Sequence, residues 1–496
     1  MGRLLTVAAL FISAAAAQTQ DLASESHNAR ELMAQGRFEE AIPIYKKLAA
    51  ALPGNSGLLL NLALAEQMAG HPAQAIPHFE TVLKAQPDSI PALTSVGAAY
   101  LQLRQPKPAI APLKRLVRLQ PRDDAARGML AGAQMSLGQF GDAAQEYRKL
   151  TESDAADPKA WYGLGKAYES LAARCFDKLS KAAPESPYVA ALIADSRVQR
   201  KQYRSAFFFY RQAAAKLPDL PGLHAGLARV YEKTGHADWA ADEEKKEPLL
   251  SQKSCTEKTP RCEFLKNDLV TAATSGAASA APESLFWATK AYSALALQAF
   301  DRLGSLPESI EMHAVKAQIL RDHGQDLEAA NEWRAALTLS PGNPRLEREL
   351  ATSLFLAKDY AGAIPAAEKL LPQEAESADL NFIIGDSLRQ LQQPEKAIPY
   401  LETAVRKQPD MLAAHAALGM ALATVDKSSE AIPHLERALS MDDDGSLHYN
   451  LARAYRAAGN MQGAQRAMQE YQTIKQRNTS VDTELSKQAE ITAPQK

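Results

Sequence analysis

The chain has 496 residues, 46% of them hydrophobic but only 6% aromatic, with 56 Lys and Arg against 58 Asp and Glu and a formal net charge of −2. One hydrophobic core rarely grows to this length, so several domains or a stacked array are expected. Near-neutral charge without a basic stripe excludes the electrostatic footprint of a nucleic-acid binder. Alanine, leucine and glutamine dominate, which predicts an all-helical chain.

The N-terminus, MGRLLTVAALFISAAAAQTQ, has one basic residue (Arg3), an apolar run from Leu4 to about Ile12, and Ala15-Ala16-Ala17 before Gln18. Charge, apolar run and small residues in that order are read as a signal peptide, 1–17, cleaved after about Ala17. The mature chain is therefore expected outside the cytoplasm, periplasmic or secreted, as a soluble protein. No other stretch approaches the roughly 18 apolar residues of a spanning helix, so no membrane span is expected.

From about Leu22 the sequence repeats itself. The tripeptide Ala-Ile-Pro begins at Ala41, Ala75, Ala363, Ala397 and Ala431, and an Ala-Ile pair begins at Ala109; within each group the spacing is 34 residues. Pro53, Pro87 and Pro121 close successive units of the same period. In the second unit Leu59, Leu62 and Ala63 precede Gly70, and Ala75 and Phe79 follow it. Offsets of three and four place each group on one helix face, and the mid-unit glycine divides the unit into helix, turn and helix. The internal proline, as at Pro43, falls in or just beyond the first turn of the second helix, where at most about one hydrogen bond is lost.

The first-helix pattern is clearest in AWYGLGKAYES (Trp161, Leu164, Gly165, Tyr168), HAGLARVYEKTG (Leu227, Ala228, Tyr231, Gly235) and HYNLARAYRAAG (Leu451, Ala452, Tyr455, Gly459). With its period of 34 and closing proline, this pattern resembles the tetratricopeptide repeat. The resemblance covers about thirteen units from Leu22 to about Lys475. It implies an all-α solenoid, a right-handed superhelix of helix–turn–helix units.

Two units are shortened. KAYESLAARCFDKLSKAAPES from Lys166 and KAYSALALQAFDRLGSLPES from Lys290 lack the mid-unit glycine and match each other at an offset of 124. A duplicated block in which the two helices merge, or their turn tightens, accounts for both. Between Glu247 and Glu283 the register is lost, and this stretch holds Cys255, Cys262 and one expected helix, Glu263 to Thr274. The organisation read from the sequence is therefore an N-terminal array over 22–247, an insertion or linker over 248–283, a C-terminal array over 284–475 and a disordered tail over 476–496. The last repeat helix, Gln462 to Lys475, is polar over most of its surface, as a terminal cap should be.

Of three cysteines, Cys255 and Cys262 have six residues between them; in an exported chain they either close a small loop disulfide or remain free thiols. Cys175 is read as a small core residue. The ten histidines form no metal-ligand spacing, and His78 and His434 share one repeat position, read as the surface of the second helix. The Gly-x-Gly-Lys of WYGLGKAY has Ala160 where a phosphate loop needs glycine. SMDDDGSLHYNL has Leu451 where a calcium loop needs its glutamate, so its aspartates are read as a turn and a helix cap. No nucleophile–base pair stands out, so no enzyme, cofactor or metal is expected.

What remains is surface. The resemblance implies a groove lined by the first helices, suited to a protein or peptide partner. Its positions are filled early by Leu60, Leu64, Met68, Met129 and Met135. The candidate contacts further on are Tyr162, Lys166, Asp195, Arg229, Phe286 and Lys290, then Phe382, Asp386, Arg389, Tyr449 and Arg453. The carboxylate clamp with which some family members hold acidic C-termini is missing, since Leu60, Leu64, Ser95, Gly128 and Gly132 occupy its places. The expected role is a non-catalytic exported scaffold in an envelope or secretion complex; the alternative is an accessory subunit of an envelope glycan-synthesis or transferase complex.

Overall fold

The computed structural model describes residues 22–251, 255, 257–488 and 490–494, with the backbone alone for 248–251 and 481–488. The expected signal peptide lies outside the described residues. Helices connected by short turns make up almost all of the described chain, and no strand occurs among the described residues.

The unit of construction is a hairpin. Ser56–Met68 and Pro72–Ala85 form one, Ile90–Gln102 and Pro106–Leu119 the next, and each of these helices also packs on its successor in the chain. The Ala of every Ala-Ile-Pro motif is fully buried: Ala41, Ala75, Ala363, Ala397 and Ala431 are all 0% exposed. A methyl is the largest group that permits such close helix approach. Four residues on, Tyr45, Phe79, Leu401 and Leu435 fill the space between neighbouring helices and are buried as completely. Opposite Leu401 and Leu435, a glycine of the first helix receives that side chain. A Cβ on Gly385 would stand 2.7 Å from Leu401 Cγ, and one on Gly419 equally close to Leu435 Cγ.

The prolines sit at the sixth residue of the second helix, as Pro43 does in Phe38–Ala51 and Pro399 in Pro394–Lys407. Each removes one ladder bond, but Pro43 and Pro399 lie on the exposed side, as do Glu39 and Glu395 whose carbonyls are freed. On that side the freed carbonyls face solvent and are not buried without a partner, so the proline does not end the helix.

The shortened units are single helices, Pro158–Ala182 and Pro282–Gly304. The two lie against one another at residues that correspond in the duplicated block: the rings of Tyr168 and Tyr292 are 6.1 Å apart. The chain divides into two compact units, one of the described residues up to Ala172 with Tyr292–Arg302, the other of Ala173–Ala291 with the residues from Leu303 onward. This division falls within the two long helices and not at the 248–283 segment.

That segment contains two short helices in place of the expected one. Pro260–Leu265 and Leu269–Ala277 are separated at Asn267, whose φ of 64° breaks the helix, and Thr259 and Asp268 cap their N-termini. Cys255 and Cys262 are joined by a disulfide, with Cα atoms 5.2 Å apart. Cys175 is buried and unbridged. The end of the chain also differs from the disordered tail expected over 476–496. Met461–Gln488 is one helix of 28 residues, and residues 490–494 lie against the helices Tyr203–Lys216 and Leu223–Lys233.

Candidate functional site

In the second compact unit, three of the residues read as groove contacts, Asp195, Phe286 and Lys290, come together. Asp195, on helix Pro187–Gln199, accepts a 2.6 Å hydrogen bond from the Tyr210 hydroxyl on helix Tyr203–Lys216. Its other oxygen is 3.3 Å from Lys290 Nζ. The same ammonium stands 5.6 Å from the centre of the Phe286 ring, four residues back on its own helix. Burial first, and then the Asp195 carboxylate, push the Tyr210 phenol far above its ordinary pKa, with the Arg229 charge opposing them. The phenol therefore remains a donor, and the carboxylate is shared between a neutral donor and a cation. That is a satisfied ionic contact, not an acid–base pair awaiting substrate.

Phe286 requires a correction: it is 1% exposed, packed edge-on to Trp287 and 5.2 Å from the Tyr188 ring. It belongs to the core and offers no face to a ligand. Further along this unit, Asp386 is buried and accepts from Arg389 Nε at 2.7 Å. Phe382 meets Phe355 edge to face at 5.6 Å. Tyr449 is 43% exposed beside Tyr471, and Arg453 is exposed on the same helix, Ser446–Ala457. In the first unit Tyr162 is half-buried, Lys166 pairs with Glu169 at 2.5 Å, and Met68 is 59% exposed.

The residues that position these faces include a set that pattern reading passes over. Arg127 and Trp161 are 34 residues apart, and His313, Glu347, Asn381 and His415 follow one another at the same interval. Four of the six donate to the carbonyl six residues earlier, in the turn between repeats. Arg127 Nη2 reaches Pro121 O at 2.6 Å, Trp161 Nε1 reaches Ala155 O at 3.0 Å, Asn381 Nδ2 reaches Ala375 O at 2.9 Å, and His415 Nε2 is 3.1 Å from Pro409 O. Several of them also reach the second helix 19 residues on. His313 Nδ1 lies 2.6 Å from Glu332, and His415 Nδ1 lies 2.9 Å from the same atom of His434. His434 is thus half-buried against His415, not a surface residue as its repeat position suggested. His78, in the corresponding place, faces the buried carboxylate of Glu66 at 3.6 Å. The 34-residue interval was the available signal, but four chemically different donors do the same work, and no residue type marks the position.

Asp442, read as part of a turn, accepts from the backbone N–H groups of Leu447 and His448 at 3.0 and 2.8 Å and caps that helix. Among the described residues, no group of three or more His, Cys, Asp or Glu side chains is placed to hold a metal ion. No helix among them is long and apolar enough to cross a membrane.

No curated protein matches the chain. Solved structures are similar over about a third of it. One is YrrB, described as a tetratricopeptide-repeat protein with an unusual peptide-binding site, at 24% identity, covering 34% of this chain and 87% of its own, with a TM-score of 0.30. A second is MamA from Desulfovibrio magneticus, at 18% identity, covering 34% of this chain and 96% of its own, with a TM-score of 0.31. A third is TTC0263 of Thermus thermophilus, at 16% identity, covering 36% and 98%, with a TM-score of 0.28. Family models described as tetratricopeptide repeat match residues 32–100, 66–131 and 100–168, and again 315–379, 384–424 and 422–479. Those matches span more than half of the residues, and their phase is that of the hairpins: the chain belongs to the tetratricopeptide-repeat family.

Proposed function

We propose that this protein is an exported, non-catalytic scaffold that binds protein or peptide partners through the groove faces of its first helices and serves the assembly of an envelope or secretion complex. The observation that carries the reading is the state of those faces. The Asp195–Tyr210–Lys290 contact is consumed internally, and so is Asp386 by Arg389. Tyr449 and Arg453 remain exposed side by side, one turn apart on a helix. Aromatic and arginine side chains are the usual anchors of an interface. In the first unit the exposed Met68 offers an adaptable apolar contact. The Cys255–Cys262 bridge supports an oxidising destination and hence the export reading.

A crosslinking pull-down from the exporting host, with the full chain and with a Tyr449→Ala, Arg453→Glu variant of unchanged circular dichroism, tests this reading. A partner recovered by the wild type and weakened at least about tenfold by the variant supports it. Equal recovery by both chains contradicts it at this face. For export, N-terminal sequencing of the chain from the host should begin near Gln18; a chain retaining Met1 in the cytoplasmic fraction overturns it.

A further inference from the structure

A second surface, apart from the groove faces, is already occupied by the chain itself. Residues 490–494 cross the helices Tyr203–Lys216 and Leu223–Lys233 near the turn that starts helix Ala237–Ser251. The Tyr231 hydroxyl donates to the main-chain carbonyl of Thr492 at 2.8 Å, and Arg211 Nη1 donates to the Thr492 hydroxyl at 2.9 Å. Ile491 packs against the apolar cluster that includes Phe207 and Tyr231. Arg211 is held over the Phe207 ring, 5.8 Å from its centre, and the His236 ring stacks on Trp239 at 4.3 Å.

Two features mark this as a recognition surface and not an accidental contact. First, Tyr231 is only 2% exposed, and among the described residues its hydroxyl makes its hydrogen bond to Thr492. With the segment in place the hydroxyl is shut off from solvent and satisfied by a main-chain carbonyl, an acceptor that any extended peptide can offer. Second, a cavity of about 930 Å³ lies beside the segment, lined by Lys201, Arg204, His236 and Thr234 on one side and by Glu490 and Ile491 on the other. The fixed wall is basic and the bound segment acidic, so their charges are complementary.

We propose that Arg211, Tyr231, His236 and the apolar wall around Phe207 form a peptide-docking site, that residues 490–494 hold it in cis, and that its exchange partner is an extended peptide carrying an acidic residue, then isoleucine or valine, then a small hydroxylated residue. The segment acts as a tethered competitor. Its effective concentration sets a threshold that an incoming peptide must exceed. The site does not depend on the groove reading, since none of its residues belongs to the groove faces.

The experiment uses a fluorescein-labelled peptide QAEITAPQK, anisotropy titration and three full-length chains: wild type, Ile491→Asp, and Ile491→Asp combined with Arg211→Ala and Tyr231→Phe. Ile491 lies outside the helical hairpins, Arg211 is exposed and Tyr231→Phe removes one oxygen, so each chain should keep its helical circular dichroism. The Ile491→Asp chain should bind the peptide at least about tenfold more tightly than wild type. The triple variant should lose about tenfold of that gain, given two removed contacts. A peptide with aspartate in place of isoleucine should bind neither chain. Binding that is equal in wild type and Ile491→Asp, absent from both, or unchanged in the triple variant would overturn the proposal.

Discussion

At the scale of single residues, the repeat is defined by geometry that several residue types can supply. The turn between the two helices of a hairpin needs a left-handed residue. Gly36, Gly70, Gly138 and Gly324 provide it, with φ between 69° and 88°. Arg104, Lys358, Gln392 and Asp426 adopt the same conformation at the same interval, with φ between 57° and 61°. Lys358 even keeps the glycine-type closure, its N–H on Phe355 O at 3.0 Å and that of Asp359 on Leu354 O at 2.9 Å. A side chain in this region is strained by about 1–2 kcal/mol, partly offset by the smaller entropy it loses on folding. Lys358→Gly should therefore raise stability by about 0.5–1 kcal/mol in urea unfolding; no change or a loss would show that the strain is absent. Asn381→Ala should do the reverse. The buried Asn381 amide donates to the Ala375 and Ser377 carbonyls. Losing two such bonds costs about 1–3 kcal/mol, read by the same titration as a lower midpoint with unchanged slope.

The elements repeat more faithfully than the residues. The Ala-Ile-Pro motif and the closing proline were legible because each has a single physical role, a methyl where helices meet and a break where a helix ends. The loss of the turn glycine at Lys166 and Lys290 was legible too, but it left merged helices and a tightened turn as alternatives; the structure shows single helices at both places. The register of the buried polar residues was hidden, because Arg127, Trp161, Asn381 and His415 share a position and a hydrogen bond but no chemistry visible in a pattern. The same limit applied to the site. Asp195, Lys290 and Phe286 are brought together by the fold, which alone shows that the first two neutralise each other and the third is core.

The helix pair Leu412–Thr424 and Ser428–Ala438 carries a pH dependence of its own. Burial lowers the pKa of both His415 and His434. The bond to Pro409 O and the nearby Arg437 charge act in opposite directions on His415, and His415 in turn disfavours a charge on His434. A lowered histidine pKa means that the unfolded chain binds the proton more readily. The pair's stabilising contribution is thus fully present above about pH 6.5, the ordinary histidine value, and is lost as pH falls towards the folded values. His415→Asn, which copies the donor that Asn381 supplies one repeat earlier, should flatten the fall in melting temperature between neutral and mildly acidic buffer. An unchanged slope would place the titration elsewhere.

For the whole molecule, the governing fact is that hairpins share their cores: one buried cluster runs from Ala317 through Leu350, Ile384 and Leu418 to Ala467. Leu401 and Leu435 are buried because a facing first helix brings Gly385 and Gly419 within reach, and the neighbouring hairpin covers the rest. The same economy leaves faces that do not stack, and in two places the chain covers them itself. One is the ionic contact of Asp195 with Lys290; the other is the segment 490–494 on Tyr231. The contact of residues 490–494 was invisible in the sequence, because the partner surface of Thr492 lies 261 residues earlier in the chain. Hydrogen exchange of the full chain, comparing wild type with Leu401→Ala, tests this construction most directly. If stability passes only between neighbours, a cavity costing about 2–5 kcal/mol should speed exchange most in Ala378–Gln390 and Pro394–Lys407, less in the adjoining hairpins, and not in Ile310–Asp322. A uniform rise across every described helix would contradict nearest-neighbour stacking and the account built on it.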